Sequence, residues 1–551
     1  MGTLRLTASI AALSLVVAAA APAWASEPWS DDDPPVPPVR APISESFGVR
    51  GAAEYRANAL VVDPISLNTE THRRVAWIEH RLRLDGTIDY RDTVRIHTSV
   101  DLLNGVLWGD NGTFGTEPEP NAGANATTRN PNVAVPCVGY DAGDPLQPES
   151  YGYGLCSGSP IEVRRIYGDV VTPIGLLRVG RQPVSIGSGV QTASGDGRTN
   201  RFGFSRNGNS VDRVLFATKP LEGLKPDAER DRSEDRGVFL ILAYDRLVTD
   251  AVRVFGDDVH QTIVSVRLHQ PEHRFGKDAI LAGFWVHRFD AQYGTRVHSF
   301  GLRAQSRFQK LYAGVDAAVN LGSTSELSEA YKVVTNDPVV AQPVRQLGMR
   351  AAARWDERLW SAYLELDFAS GDGDPQARTP LTQFVFAEDA NVGLLLFEHV
   401  LAFQTARSAA AGLEILRRLG ASSYPVEAVA TRGAFTNAFA IFPQFDFRPV
   451  PTVLLRGGVL MAWAPSPVVD PLASLQARDG GTIEDDLVNF AGGKPAQYYG
   501  TELCGRAQWR FIEHFAADLE GAVLFPGEAL QDENGDAVHS VLVQGRTTFF
   551  F

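Results

Sequence analysis

Arginine supplies most of the chemistry in this sequence. Arg81, Arg83, Arg95, Arg178, Arg303, Arg350 and Arg456, with Arg213, Arg267, Arg354, Arg506 and Arg546, alternate with apolar neighbours. In extended chain that spacing puts them on one face, opposite the apolar set. A guanidinium is permanently charged and offers paired donors that fit carboxylate or phosphate. Carboxylates fall on the same face more sparsely, at Glu79, Asp101, Asp316, Glu365, Asp367, Glu502, Asp518 and Glu520. Two arrangements use such a face: a basic eyelet that draws anions, or a lattice of internal salt bridges. The spacing alone leaves both open.

Other candidate sites carry less. Asp532-Glu533-Asn534-Gly535-Asp536 resembles the start of a calcium loop, but Ala537 stands where glycine is needed and Val543 where the final carboxylate belongs. A hairpin turn explains it better. Asp196, Asp372 and Asp374 lie in acidic, Gly-rich stretches whose ordinary role is solvation. The histidines show no metal-ligand spacing, and no nucleophile elbow occurs. Neither a catalytic residue, a metal site nor a cofactor is expected. Cys504 falls between Glu502 and Arg506 as a small inert side chain. Cys137 and Cys156 sit among Gly, Pro and Asn, and in an exported chain they are expected to form a disulfide.

The elements that must position these residues are strands. From Phe47 to Val61 every second residue is apolar or small, with Arg50, Glu54, Arg56 and Asn58 between. Val94–Leu102, Trp360–Phe368 and Phe515–Val523 alternate in the same way. A soluble sandwich would do this with strands of about 5 or 6 residues. These runs are roughly 10 to 15, and a tilted strand crossing a bilayer needs about 9 to 11. Strands are expected near 45–61, 73–85, 93–106, 160–170, 174–185, 211–218, 237–248, 259–270 and 279–289. The second half adds 297–307, 309–321, 344–355, 358–369, 434–446, 451–463, 498–511, 514–525 and 538–551. That predicts an all-β transmembrane antiparallel barrel of about 18 strands, with 16 also compatible. Long extracellular links (107–159, 186–210, 322–343, 370–433, 464–497) alternate with short periplasmic turns, and the charged link 219–236 breaks the rule. Strict alternation turns His80 towards lipid, beside Ile78 and Leu82.

The rest of the chain sets limits. Residues 1–25 read as a cleaved secretory signal: Arg5, an apolar run from Leu6, then Ala23-Trp24-Ala25. Residues 26–44 form a Pro/Asp-rich periplasmic arm, and 45–551 a single barrel domain. Within 370–433, Ser408–Leu419 reads as a helix and Val392–Phe403 is too apolar for water. The segment either folds inward and narrows the pore or caps the outside. The 551-residue chain carries a net charge of −14, so nucleic acid is an unsuitable partner. Its acids cluster in the arm and links, such as Asp31–Asp33 and Glu484–Asp486. Six of its 51 basic residues are Lys, so the charges on strand faces are almost all guanidinium.

The chain ends in HSVLVQGRTTFFF, a strand closing on Phe551 that resembles the assembly signal of bacterial outer-membrane barrels. Leu177–Pro183 (LRVGRQP) resembles a strand of porins related to the alginate-export barrel. So do Gly500–Leu503 leading to Phe525-Pro526-Gly527, and Glu365–Phe368 running into Gly371–Asp374. Asn209–Arg213 resembles porin-like proteins of δ-proteobacteria. These matches cover about a tenth of the chain. The resemblance implies a wide outer-membrane barrel whose partners are lipid, lipopolysaccharide, the barrel-assembly machinery and small solutes. The expected function is diffusion of small hydrophilic solutes, with a preference for anions or acidic sugars. The alternative is a surface-binding protein anchored by its barrel, which aromatic, repetitive links would favour; these links are acidic and Gly-rich.

Overall fold

The computed structural model describes residues 39–42, 46–67, 74–109, 161–249, 259–409 and 430–551. Within these, 92, 185–186, 196–199, 205–207, 232, 234–235, 292, 336–337, 375, 377, 389, 478–482 and 513 are excluded. The expected leader, most of the arm, and Cys137 and Cys156 lie outside the described residues.

Eighteen long strands close into one antiparallel barrel, preceded by a short one. They are β1 (Val39–Pro42), β2 (Phe47–Asp63), β3 (Val75–Tyr90), β4 (Val94–Gly109), β5 (Ile161–Thr172), β6 (Gly175–Pro183) and β7 (Ser210–Thr218). Then come β8 (Gly237–Thr249), β9 (His260–His273), β10 (Gly276–Asp290), β11 (Thr295–Phe308), β12 (Leu311–Thr324) and β13 (Gln342–Asp356). The last are β14 (Trp360–Ala369), β15 (Ala438–Val450), β16 (Val453–Trp463), β17 (Tyr498–Ile512), β18 (Phe515–Pro526) and β19 (Ser540–Phe550). Each long strand pairs with its sequence neighbours, and β19 returns to β2 from Val541↔Asp63 to Phe550↔Glu54. Phe551 exchanges backbone hydrogen bonds of 2.8 and 2.9 Å with Ala53. Among the described residues no ladder edge remains in the wall, as hydrocarbon requires.

Period-two alternation produces the two faces. In β2, Glu54, Arg56, Asn58, Leu60 and Val62 are buried inside, while Tyr55, Ala57, Ala59 and Val61 face out. His80 faces out as expected, with its ring against Tyr55 at 6.3 Å. The β3–β4 register slips on both sides of it. The end of the arm joins the wall: β1 pairs Val39↔Gly51 to Pro42↔Gly48. It extends the seam on the edge of β2 where β19 has ended, giving those backbone groups a partner.

Two links enter the barrel. In the 370–433 segment a π-helical turn Leu396–Leu401 continues as α-helix over 402–409, and most of the helix expected over Ser408–Leu419 lies outside the described residues. A buried apolar segment must satisfy its own backbone groups, and helix does so locally. Leu394, Leu395, Leu396, Phe397, Val400 and Leu401 are buried among inward-facing Leu60, Val62, Ala440, Leu460, Leu524 and Leu542. Each such side chain contributes about 1.5–3 kcal/mol. Link 184–209, expected outside, also folds in. Gly187 (φ +73°) shows why glycine is required: a Cβ there would lie 1.8 Å from a carboxylate oxygen of Asp316.

Candidate functional site

The inward arginines are built into cross-strand ion pairs. Arg83 binds Asp101 through two bonds of 2.7 and 2.8 Å. Arg456 binds Asp446 at 2.7 and 2.9 Å. Arg213 holds Asp245 at 2.6 and 2.7 Å. Arg350 pairs with Asp367 at 2.7 Å and lies 3.4 Å from Glu365. Arg506 and Arg546 share Asp518 and Glu520. Partners face each other across the ladder, as in Arg83↔Asp101, Arg350↔Asp367 and Arg456↔Asp446. Side chains in such pairs are close enough to bond without distorting the sheet.

The carboxylate set on the strand faces is larger than alternation suggested. Glu54, Asp89, Asp169, Asp245 and Asp446 all point inward, and all are buried or nearly so. They were legible as alternate positions, but Asp245 and Asp446 follow inward residues that are apolar or amide. Arg164 and Arg201, which alternation did not single out, are buried as well, together with Arg56 of β2.

Many guanidinium groups hold link 184–209 by its carbonyl oxygens. Arg350 donates to Ser188 O at 2.9 Å. Arg456 and Arg506 both donate to Arg201 O, at 2.5 and 3.0 Å. Arg164 reaches Ser194 O at 3.2 Å. Arg201 itself crosses the barrel to Asp446 at 2.9 Å and Gln444 at 2.7 Å. Arg56 stacks on Phe204 with its guanidinium carbon 3.5 Å from the ring centre, and Arg546 approaches the same ring at 5.0 Å. Gly203 N donates to Glu520 at 3.2 Å. The helical insert is fastened by Glu502, whose carboxylate accepts from the backbone N–H groups of Leu394, Leu395 and Leu396 at 2.7, 3.0 and 2.7 Å. Cys504 is buried and donates its thiol to the same carboxylate at 2.8 Å.

The interior is therefore divided. Arg81, Arg83, Arg350, Arg456, Glu365 and Asp367 are buried where the two inserts pack. Arg95, Arg178 and Arg303 lie on the other wall, β4–β12, and stay partly exposed. In two of the pairs there the carboxylate is the more buried end, whereas in Arg164–Glu162 the guanidinium is buried and the carboxylate exposed. The Arg178 side chain is 29% exposed against 3% for Asp169, and Arg95 25% against 9% for Asp89. Arg178 also covers the Tyr167 ring at 4.5 Å, which stacks on His97 at 4.6 Å. Arg267 and Arg303 flank Ala282 in one row across β9–β11, both facing in. Arg303 donates to Gln305 at 2.8 Å. Asp532–Asp536 is a turn, with Asp532 accepting from Asn534 N and Asp536 N at 2.9 and 3.0 Å.

A closed wall, inward-folded links and a charged interior make this a porin-like β-barrel. No protein-family model matches the chain, and no curated protein does. Among solved structures it is similar to Pseudomonas aeruginosa OccK11 (OpdR), with 9% identity, 91% of this chain and 96% of that chain covered, and a TM-score of 0.44. Acinetobacter baumannii OccAB1 gives 8% identity, coverage of 91% and 96%, and 0.48. Pseudomonas aeruginosa OccK2 (OpdF), solved in complex with glucuronate, gives 9%, coverage of 91% and 96%, and 0.42. Likenesses this distant do not bear on what the chain binds. The similar structures named are Occ and Opd proteins, not alginate-export barrels.

Proposed function

We propose that the protein is an outer-membrane channel for small hydrophilic solutes, with a preference for anions. One observation carries this: the Arg95–Asp89 and Arg178–Asp169 pairs present guanidinium to the lumen and bury the carboxylate. Each pair is neutral in sum but positive where an ion passes. At short range in a confined passage that orientation outweighs the −14 of the whole chain, since the field of solvated charges is screened within about 8 Å. Arg95, Arg178, Arg267 and Arg303 are the residues a solute meets. The buried set (Arg81, Arg83, Arg350, Arg456, Glu365, Asp367) holds the inserts that narrow the lumen. Phe551 serves assembly, and the short turns face the periplasm.

Reversal potential across a tenfold KCl gradient in planar bilayers tests the reading. The expected sign is anion-selective, moving towards zero in Arg178→Gln/Arg303→Gln. Cation selectivity of the unmodified channel overturns the preference. A correctly assembled barrel that passes no current overturns the channel and leaves an anchor for surface contacts.

A further inference from the structure

Among the described residues, the outward-facing arginines of the barrel gather on one sector of the long-link rim. At the long-link rim, one row runs directly from strand to strand: Arg181↔Asp212↔Arg246↔His260↔Phe289↔Arg296. All lie at or near the ends of their strands. Arg345 stands one level in, in line with Leu321 and His298. Among the described residues, Asp212 is the one carboxylate facing out at this rim of β6–β13, and Arg181 holds it at 2.9 and 3.0 Å. The same rim across β15–β18 instead carries Phe439, Trp463, Tyr498 and Phe525, with successive ring centres 6.2 and 5.5 Å apart for the first three. That is the usual aromatic girdle of a lipid interface. The cationic sector is a departure from it. An outward arginine at the midplane costs about 2–4 kcal/mol, so these groups belong at headgroup depth.

The order of side chains along the row points to the ligand. Arg246 and Arg296 flank His260 and Phe289, whose rings stack at 5.6 Å. Tyr244 steadies His260 through a 3.0 Å bond to Nδ1. Behind them His287 and His298 stack at 4.5 Å. Arg246 and Arg296 are three strands apart, about 14 Å at the ordinary strand spacing. Two guanidinium groups at that separation with a flat aromatic shelf between them match a disaccharide bearing a phosphate at each end. Each phosphate would meet one bidentate donor, and the apolar sugar face would cover the rings. We propose that this sector binds a bisphosphorylated glycolipid of the outer leaflet, its acyl chains lying along the wall below. The inference rests on the outer-membrane reading and deepens it with a lipid site on the outside of the barrel, apart from the lumen.

The test is native mass spectrometry of the full chain in detergent with purified bisphosphorylated lipid A, compared with its fully dephosphorylated form. The phosphorylated lipid should bind at least about tenfold more tightly. Arg246→Gln/Arg296→Gln should bring it down to the level of the dephosphorylated form. Equal binding of the two lipids by the unmodified protein overturns the proposal, as does an unchanged preference in the double variant. The comparison of the two lipids stands without the variant if that chain does not assemble. Conductance of the same preparation in phosphatidylcholine bilayers separates the two readings. Current without a phosphate preference defeats only the lipid site. A phosphate preference without current defeats only the channel.

Discussion

Arg350 and Arg303 look alike in the sequence, yet their substitutions should act differently. Arg350 is buried between Asp367, Glu365 and the carbonyl of Ser188. Arg350→Gln leaves buried carboxylates without their partner, a loss on the order of 3–5 kcal/mol. It should lower barrel stability, read as a lower temperature for loss of the folded band in heat-modifiability gels, because the insert loosens. Arg303 is partly exposed and bonded to an amide, so Arg303→Gln should leave stability within about 0.5 kcal/mol and shift reversal potential instead. Glu502 sits at a third kind of position. Glu502→Ala strips three backbone N–H groups of their acceptor at the start of the helical insert. Each orphaned donor costs about 1–3 kcal/mol, so the insert should become protease-sensitive while the wall survives. Protection of 384–409 equal to that of the parent chain would contradict this.

At the scale of elements, the inserts and the charged short-side link behave as separate units. Deleting 385–425 removes the helix and its apolar contacts, and single-channel conductance should rise severalfold in an assembled barrel. Unchanged conductance would mean that the segment does not constrict. Gly203 (φ +71°) governs the other insert, since a Cβ there would lie 2.6 Å from the Asn391 amide. Link 219–236 lies on the short-turn side, with a helical turn at Pro220–Gly223. Ser233 and Arg236 hold the Asp231 carboxyl below its usual value, and Lys225 with the Asp231 N–H does the same for Glu222. Both folded-state values are depressed, so the stabilisation is complete at neutral pH and fades as pH falls through them. Proteolysis by an acid-active protease should therefore cut this link faster at about pH 3 than at about pH 5.

The whole molecule depends on closing its ends. Phe551 binds Ala53 and β19 pairs with β2, while β1 continues the seam below. Removing Phe549–Phe551 deletes the last ladder contacts and exposes the edge of β2, and an open edge in hydrocarbon is strongly disfavoured. The yield of heat-modifiable barrel should fall sharply, with removal of β1 having the smaller effect. The same closure explains how a chain rich in buried charge stays ordered. Each cross-strand pair fixes register at one place, since a slip of one residue would turn arginines to lipid and alanines to the lumen.

The sequence by itself determined the wall. Each of the eighteen long strands overlaps a segment read from alternation, because a strand between lipid and an aqueous lumen must change polarity at every residue. It also placed Arg81, Arg83, Arg350, Arg456, Glu365 and Asp367 on the inward face. Which carboxylate each arginine meets was settled by register, and whether it reaches solvent by links arriving from far along the chain. Arg201 and Phe204 belong to a Gly-rich link that reads as solvated. Their place inside rests on contacts with Asp446 and Arg56, far away in sequence. One local sign was present: Leu60–Val62, Ala438–Phe442, Val459–Trp463 and Val541–Val543 are apolar on both faces at the long-link end. A wall that is apolar towards the lumen needs a cover, but only the tertiary structure showed that residues 392–403 supply it. Alternation is a property of one strand and can be read from it. The division of the lumen is a property of pairs distant in sequence, and no local pattern encodes it.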